Sequence, residues 1–155
     1  MAAAGPAAAA ALAVVLAFAA AGFAWWEALP VLHQRYWAGV ARVRPASYWL
    51  WGNLAALAFS AGPLTGAGLA QAVARRREPA RDVAVGRALA LAALATVLLA
   101  DASLMSKAEV ERIWLPFVPW LLVSCALLPQ PWRRAGLVGQ LVLALVVQHL
   151  LFTGW

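Results

Sequence analysis

An all-α, polytopic integral membrane protein, with about five transmembrane helices and one interfacial amphipathic helix, is the fold class this sequence predicts. Three observations predict it. Of the 155 residues, 65% are hydrophobic and 12% charged, and the mean hydropathy is +0.80, far from the mix of a soluble domain. The apolar residues gather into runs near the roughly 20 residues that cross a hydrocarbon core. The basic residues fall in short clusters between those runs, as topology signals do, so the net charge of +6 marks loops and not a nucleic-acid surface. The single cysteine, Cys125, allows no internal disulfide and reads as a small core hydrophobe.

The first span covers residues 7–26, an alanine-rich run without a charge that ends on Trp25 and Trp26. No Lys or Arg precedes it and it is long enough to cross, which favours a span over a cleaved secretory signal. Residues 30–44 are too polar to cross. Leu32, Tyr36, Val40 and Val43 recur there at helical spacing while Arg35 and Arg42 share the opposite side, the pattern of a helix lying in the interface. Pro30 suits its first turn, and Arg44 is held extended by Pro45. His33, Gln34 and Arg35 have the chemistry to contact an anion, although a solvated polar face is the plainer reading.

The second span, residues 48–73, carries Gly52, Ala56 and Ser60 four residues apart, a smooth strip against which another helix packs closely. Gly62, Pro63 and Gly66 interrupt it. The third span, 83–105, has Arg87 snorkelling outward at one end and Asp101 near the other boundary. The fourth covers 107–128 and the fifth 135–153. His149 lies in the fifth, near the terminus, where a neutral imidazole in the interface is less costly than at mid-span.

The densest polar chemistry is the string DASLMSKAEVERIWLPFVPW, from Asp101 to Trp120. Ser106 followed by Glu109 is a capping box, which predicts a helix starting at about Lys107. Pro116 and Pro119 remove the N–H groups that would bond the carbonyls of Arg112 and Leu115, and freed carbonyls in lipid need protein or a wet cavity. Along this helix Lys107 is spaced to pair with Glu111, and Glu109 with Arg112.

The loops after the second and fourth spans hold seven basic residues against two acids, those after the first and third five against four. The more basic loops face the cytoplasm, which puts the amino terminus inside, the carboxyl terminus outside and most tryptophans at the outer boundary. Asp101, Lys107, Glu109, Glu111, Arg112, Arg35 and Arg44 then share the outer face, where arginine forks suit a lipid phosphate and carboxylates suit sugar hydroxyls. No metal-binding motif, P-loop or dinucleotide fingerprint occurs, so neither a metal nor another cofactor is expected. A smaller role fits the same sequence: a non-enzymatic helper that packs on a larger transporter or synthase.

The strings GFAWWEALPVLHQRYWAGVARVRPASYWLWGNLAAL, from Gly22, and SKAEVERIWLPFVPWLL, from Ser106, resemble the C-terminal membrane block of bacterial proteins related to the GT-C glycosyltransferases of the dolichyl-phosphate-mannose mannosyltransferase type. The resemblance implies a polyprenyl-phosphate sugar as ligand at the outer face and places Glu109, Glu111 and Arg112 beside its phosphate. It leaves three readings open: a half that needs a partner to supply N-terminal spans, a shortened form of a longer protein, or a chain with another job. The family's catalytic acid lies in a loop ahead of such a block and carries over to no residue here, so catalysis by this chain alone is not expected.

Overall fold

The computed structural model describes residues 4–74 and 80–150, whose regular elements are all helices, with no strand among them. The fold is all-α. The chain divides into two compact units, residues 1–43 and 44–155. The basic run 75–79 and the end of the fifth predicted span, 151–153, lie outside the described residues.

In the first unit, α1 (Ala4–Ala20) and α2 (Trp25–Ala38) meet at 76°, and a 3₁₀ turn, Val40–Val43, follows. The bend falls where Gly22 has φ of +91°, a conformation that L side chains resist. Trp25 and Trp26 therefore open α2 instead of closing the first span. Pro30 correspondingly sits inside α2 and not in its first turn, which leaves the Trp26 carbonyl without its usual helical donor. The helix expected over 30–44 is thus α2 from Trp25 to Ala38, with Leu29, Val31 and Leu32 exposed on it.

The second unit starts with α3 (Ala46–Ala61) and α4 (Pro63–Ala74), so the predicted second span is two helices. Gly62 has φ of +78°, and Pro63 offers no N–H to the Phe59 carbonyl. The Ala61 carbonyl at the break receives two donors instead, Thr65 Oγ1 at 2.6 Å and Gln140 Nε2 at 2.9 Å. A Cβ on Gly62 would lie 2.4 Å from Gln140 Nε2, so this glycine also permits the close approach of α8 (Gln130–Leu150).

Between them run α5 (Arg81–Ala102) and a broken segment: α6 (Val110–Ile113), a 3₁₀ turn (Leu115–Phe117), α7 (Val118–Val123) and a second 3₁₀ turn (Ser124–Leu127). The fourth span is thus no single helix from Lys107. Pro116 and Pro119 prevent regular α-helical bonding, and the Leu115 carbonyl is taken up by the Val118 N–H at 3₁₀ spacing. Val97 of α5, Val110 and Trp114 form a buried cluster on which Leu54, Leu57, Ala100 and Phe117 pack. Gly68 lets α4 approach the backbone of Ser124 and Cys125 directly.

Among the described residues α5 is the one helix that alone is long and apolar enough to cross a membrane. Leu115–Leu127 is apolar but shorter. Several polar groups are buried beside the apolar cluster, and many large apolar side chains are exposed. Asn53, Thr65, Asp101, Lys107 and Ser124 are buried, while Trp51 is 75% exposed, Leu99 72% and Leu150 76%, and α8 buries no residue.

Candidate functional site

The polar cluster forms where the 103–109 loop meets α3. This loop cannot continue α5, because Leu104, Ala108 and Glu109 all have positive φ, from +57° to +74°. Three such residues within six positions are costly without glycine and persist where surrounding contacts over-determine them. Asn53 of α3 supplies those contacts. Its Nδ2 donates to Asp101 Oδ1 at 2.8 Å and to the Ser106 carbonyl, and its Oδ1 accepts the Ala108 N–H at 3.3 Å. One amide side chain thereby joins α3, the end of α5 and the loop.

A second clamp closes over the first. Arg44 Nη1 donates to the Lys107 carbonyl, and Lys107 Nζ donates to the Arg44 carbonyl at 2.9 Å. The guanidinium of Arg44 also lies 5.5 Å from the Trp49 ring centroid, within cation–π range. Asp101 and Lys107 are each only 5% exposed. Burying a carboxylate and an ammonium is costly unless each is bonded, and here each makes a hydrogen bond within the second unit.

The predicted capping box does not form. Glu109 occupies the N-cap position of α6 in a left-handed conformation, with no side-chain bond to the helix, and α6 begins at Val110 and not at Lys107. The amide of Asn53, acting from another helix, takes the Ala108 N–H, a donor of the kind a local cap serves. The predicted Lys107–Glu111 pair is likewise replaced, since Lys107 turns to Arg44. Glu111 Oε1 is left buried without a hydrogen-bond partner, as is Trp114 Nε1 one turn on. Glu109 and Arg112 do approach each other, at 4.0 Å, with side chains 62% and 72% exposed.

Of the seven candidate residues, then, the structure brings Arg44, Asp101 and Lys107 into one bonded cluster. Glu109 and Arg112 follow it in sequence as an exposed pair, and Glu111 lies between these two with its Oε1 buried. Arg35 is exposed in the last turn of α2, in the first unit. The residue missed is Asn53. Its signal was present, as a lone amide in the apolar run YWLWGNLAAL, where a polar side chain needs a bonded partner.

The chain matches no known family model, no curated protein and no solved structure. None of these comparisons links the chain to the GT-C enzymes.

Proposed function

We propose that the protein is a multi-pass membrane protein of the cell membrane, crossing about five times with its amino terminus inside, and that it serves as a non-enzymatic subunit on a larger transporter or synthase. The observation that carries the membrane part is the wide exposure of large apolar side chains in the second unit, Trp51, Leu99, Leu137, Leu141 and Leu145 among them. The length of α5 supports it. From Asp82 to Asp101 the helix advances 19 residues, roughly 28 Å, close to the thickness of a hydrocarbon core.

The subunit role follows from the cluster. Arg44, Asp101 and Lys107, the groups best suited to act on a ligand, are bonded to the protein's own chain and hold the loop in shape. Purification in mild detergent followed by native mass spectrometry is expected to find a larger membrane protein at fixed stoichiometry. A chain that always purifies alone would sink the subunit role, and release by alkaline carbonate would sink the membrane assignment.

A second reading keeps the lipid-phosphate site at the outer boundary, narrowed to Arg112 with Glu109. What favours it is the exposed guanidinium, held only by a long contact. Arg112→Lys should then weaken a polyprenyl-phosphate analogue by about 1 to 3 kcal/mol, the range for a charge-assisted hydrogen bond. Equal binding by parent and variant would remove this reading.

A further inference from the structure

At the other end of the second unit a cavity of about 240 Å³ opens between the start of α5 and the turn after α7. Asp82, Gly86 and Arg87 line it from the first two turns of α5, and Val83, Val123 and Leu127 give it apolar walls. Gly86 sets its width, since a Cβ there would already touch Val123 Cγ1 at 3.1 Å.

Arg87 is half-buried and fixed at one atom. Its Nε donates to the Ala72 carbonyl in the last turn of α4 at 2.6 Å. The Nη pair, the two-pronged part of the guanidinium, makes no hydrogen bond among the described residues and is held at a defined angle by the Nε contact. Arg133 repeats the device nearby, with Nε on the Leu128 carbonyl at 2.6 Å, one residue from the cavity wall.

Asp82 faces the same cavity and makes no ion pair with Arg87 or with any other described residue. Opposite charges that share a cavity without meeting leave room for a dipolar group between them. A free anion would suffer the Asp82 carboxylate, and a free cation would suffer the Arg87 guanidinium. A phosphodiester joined to an ammonium suits both, and the apolar walls suit the chain attached to it.

We propose that this cavity binds a phospholipid with a primary-amine headgroup, phosphate on the Arg87 fork, ammonium on Asp82, acyl chain along Val83, Val123 and Leu127. The inference rests on the membrane assignment above, which puts this end of α5 at headgroup depth. The bidentate geometry favours phosphate, and the three N–H donors of a primary ammonium favour it over a quaternary one.

The test uses the full chain in detergent with equal amounts of phosphatidylethanolamine, phosphatidylglycerol and phosphatidylcholine, lipid retention being read by native mass spectrometry. Phosphatidylethanolamine should exceed each of the others about tenfold, the lower end for a charge-assisted bond. Asp82→Asn alters an exposed side chain with no ion pair among the described residues and should abolish that preference while leaving phosphatidylglycerol bound. Arg87→Lys should lower retention of both by several-fold. Equal retention of the three lipids by the parent, or an undiminished preference in Asp82→Asn, overturns the site and leaves the membrane assignment standing. Retention of none, with release by carbonate, overturns both.

Discussion

One helix, α5, carries a carboxylate near each end, and the fold treats the two oppositely. Asp101 is buried, accepts from Asn53 and sits in the cluster clamped by Arg44 and Lys107, whereas Asp82 is exposed and lines a cavity without an ion pair among the described residues. The cations differ in the same sense. Lys107 gives its ammonium to a backbone carbonyl inside the cluster, while Arg87 gives one N–H to α4 and keeps its fork for something else. Polar groups that satisfy one another become architecture, and their cost of burial then works as specificity for one loop conformation. Groups held at one atom with opposite charge nearby become a receptor. The same residue types are thus structural at one end of α5 and receptive at the other.

The sharpest way to break the comparison is Asn53→Leu, which keeps the volume and removes every bond of the amide. Asp101 Oδ1, the Ser106 carbonyl and the Ala108 N–H all lose a partner. The expected loss is about 3 to 5 kcal/mol, the cost of leaving a buried charge uncompensated. Thermal unfolding of the detergent-solubilised protein measures it. A loss below about 1 kcal/mol would mean that water reaches Asp101 and that the two ends are alike.

Asn53 also shows what the sequence could not disclose. The helices, the interruption at Gly62–Pro63 and the convergence of Asp101 on the following polar stretch were legible, because hydropathy, proline and glycine act locally. The pairing of Arg44 with Lys107 was not, since 63 residues separate them and nothing local aims either side chain. The serine–glutamate spacing at Ser106 and Glu109 misled for the complementary reason. A capping box is a local solution worth about 1 kcal/mol. The fold preferred a tertiary solution in which one amide meets three groups. Bonds from a distant helix outweighed the local motif, even at the cost of left-handed backbone at Ala108 and Glu109.

A smaller loss should come from Gly68→Ala, because a Cβ there would lie 2.6 Å from Ser124 Oγ and 2.7 Å from the Ser124 backbone carbon. Overpacking of this kind costs about 1 to 3 kcal/mol. Gly66→Ala, two residues away with no heavy atom within 4 Å, should instead gain roughly 0.5 to 1 kcal/mol of helix stability. The same unfolding assay reads both. If the two changes shift stability in the same direction, α4 does not pack on the Ser124 turn as described.

Trp114→Phe sharpens the meaning of an unpaired buried group. The ring packs with Val97 and Val110, but its N–H has no partner, so the substitution retains most of the packing and removes only an unsatisfied donor. A change within about 1 kcal/mol is expected, of either sign. A loss of 2 kcal/mol or more would reveal that the indole N–H is bonded in the membrane, with Glu111 Oε1 as the nearest candidate by sequence.

The smallest effect belongs to Arg112→Ala. Its contact with Glu109 is 4.0 Å long and the two side chains are mostly exposed, so the pair contributes about 0.3 kcal/mol to stability at most. That small number is what makes Arg112 informative. A residue bonded into the cluster cannot be altered without disturbing the fold, and a change in ligand binding there would be ambiguous. At Arg112 stability and binding separate. If Arg112→Ala leaves unfolding unchanged yet lowers retention of a polyprenyl-phosphate analogue, the exposed pair is a receptor and the cluster behind it is its support. If neither quantity moves, the whole Asp101–Arg112 stretch is architecture, and recognition in the second unit belongs to the Arg87 end of α5.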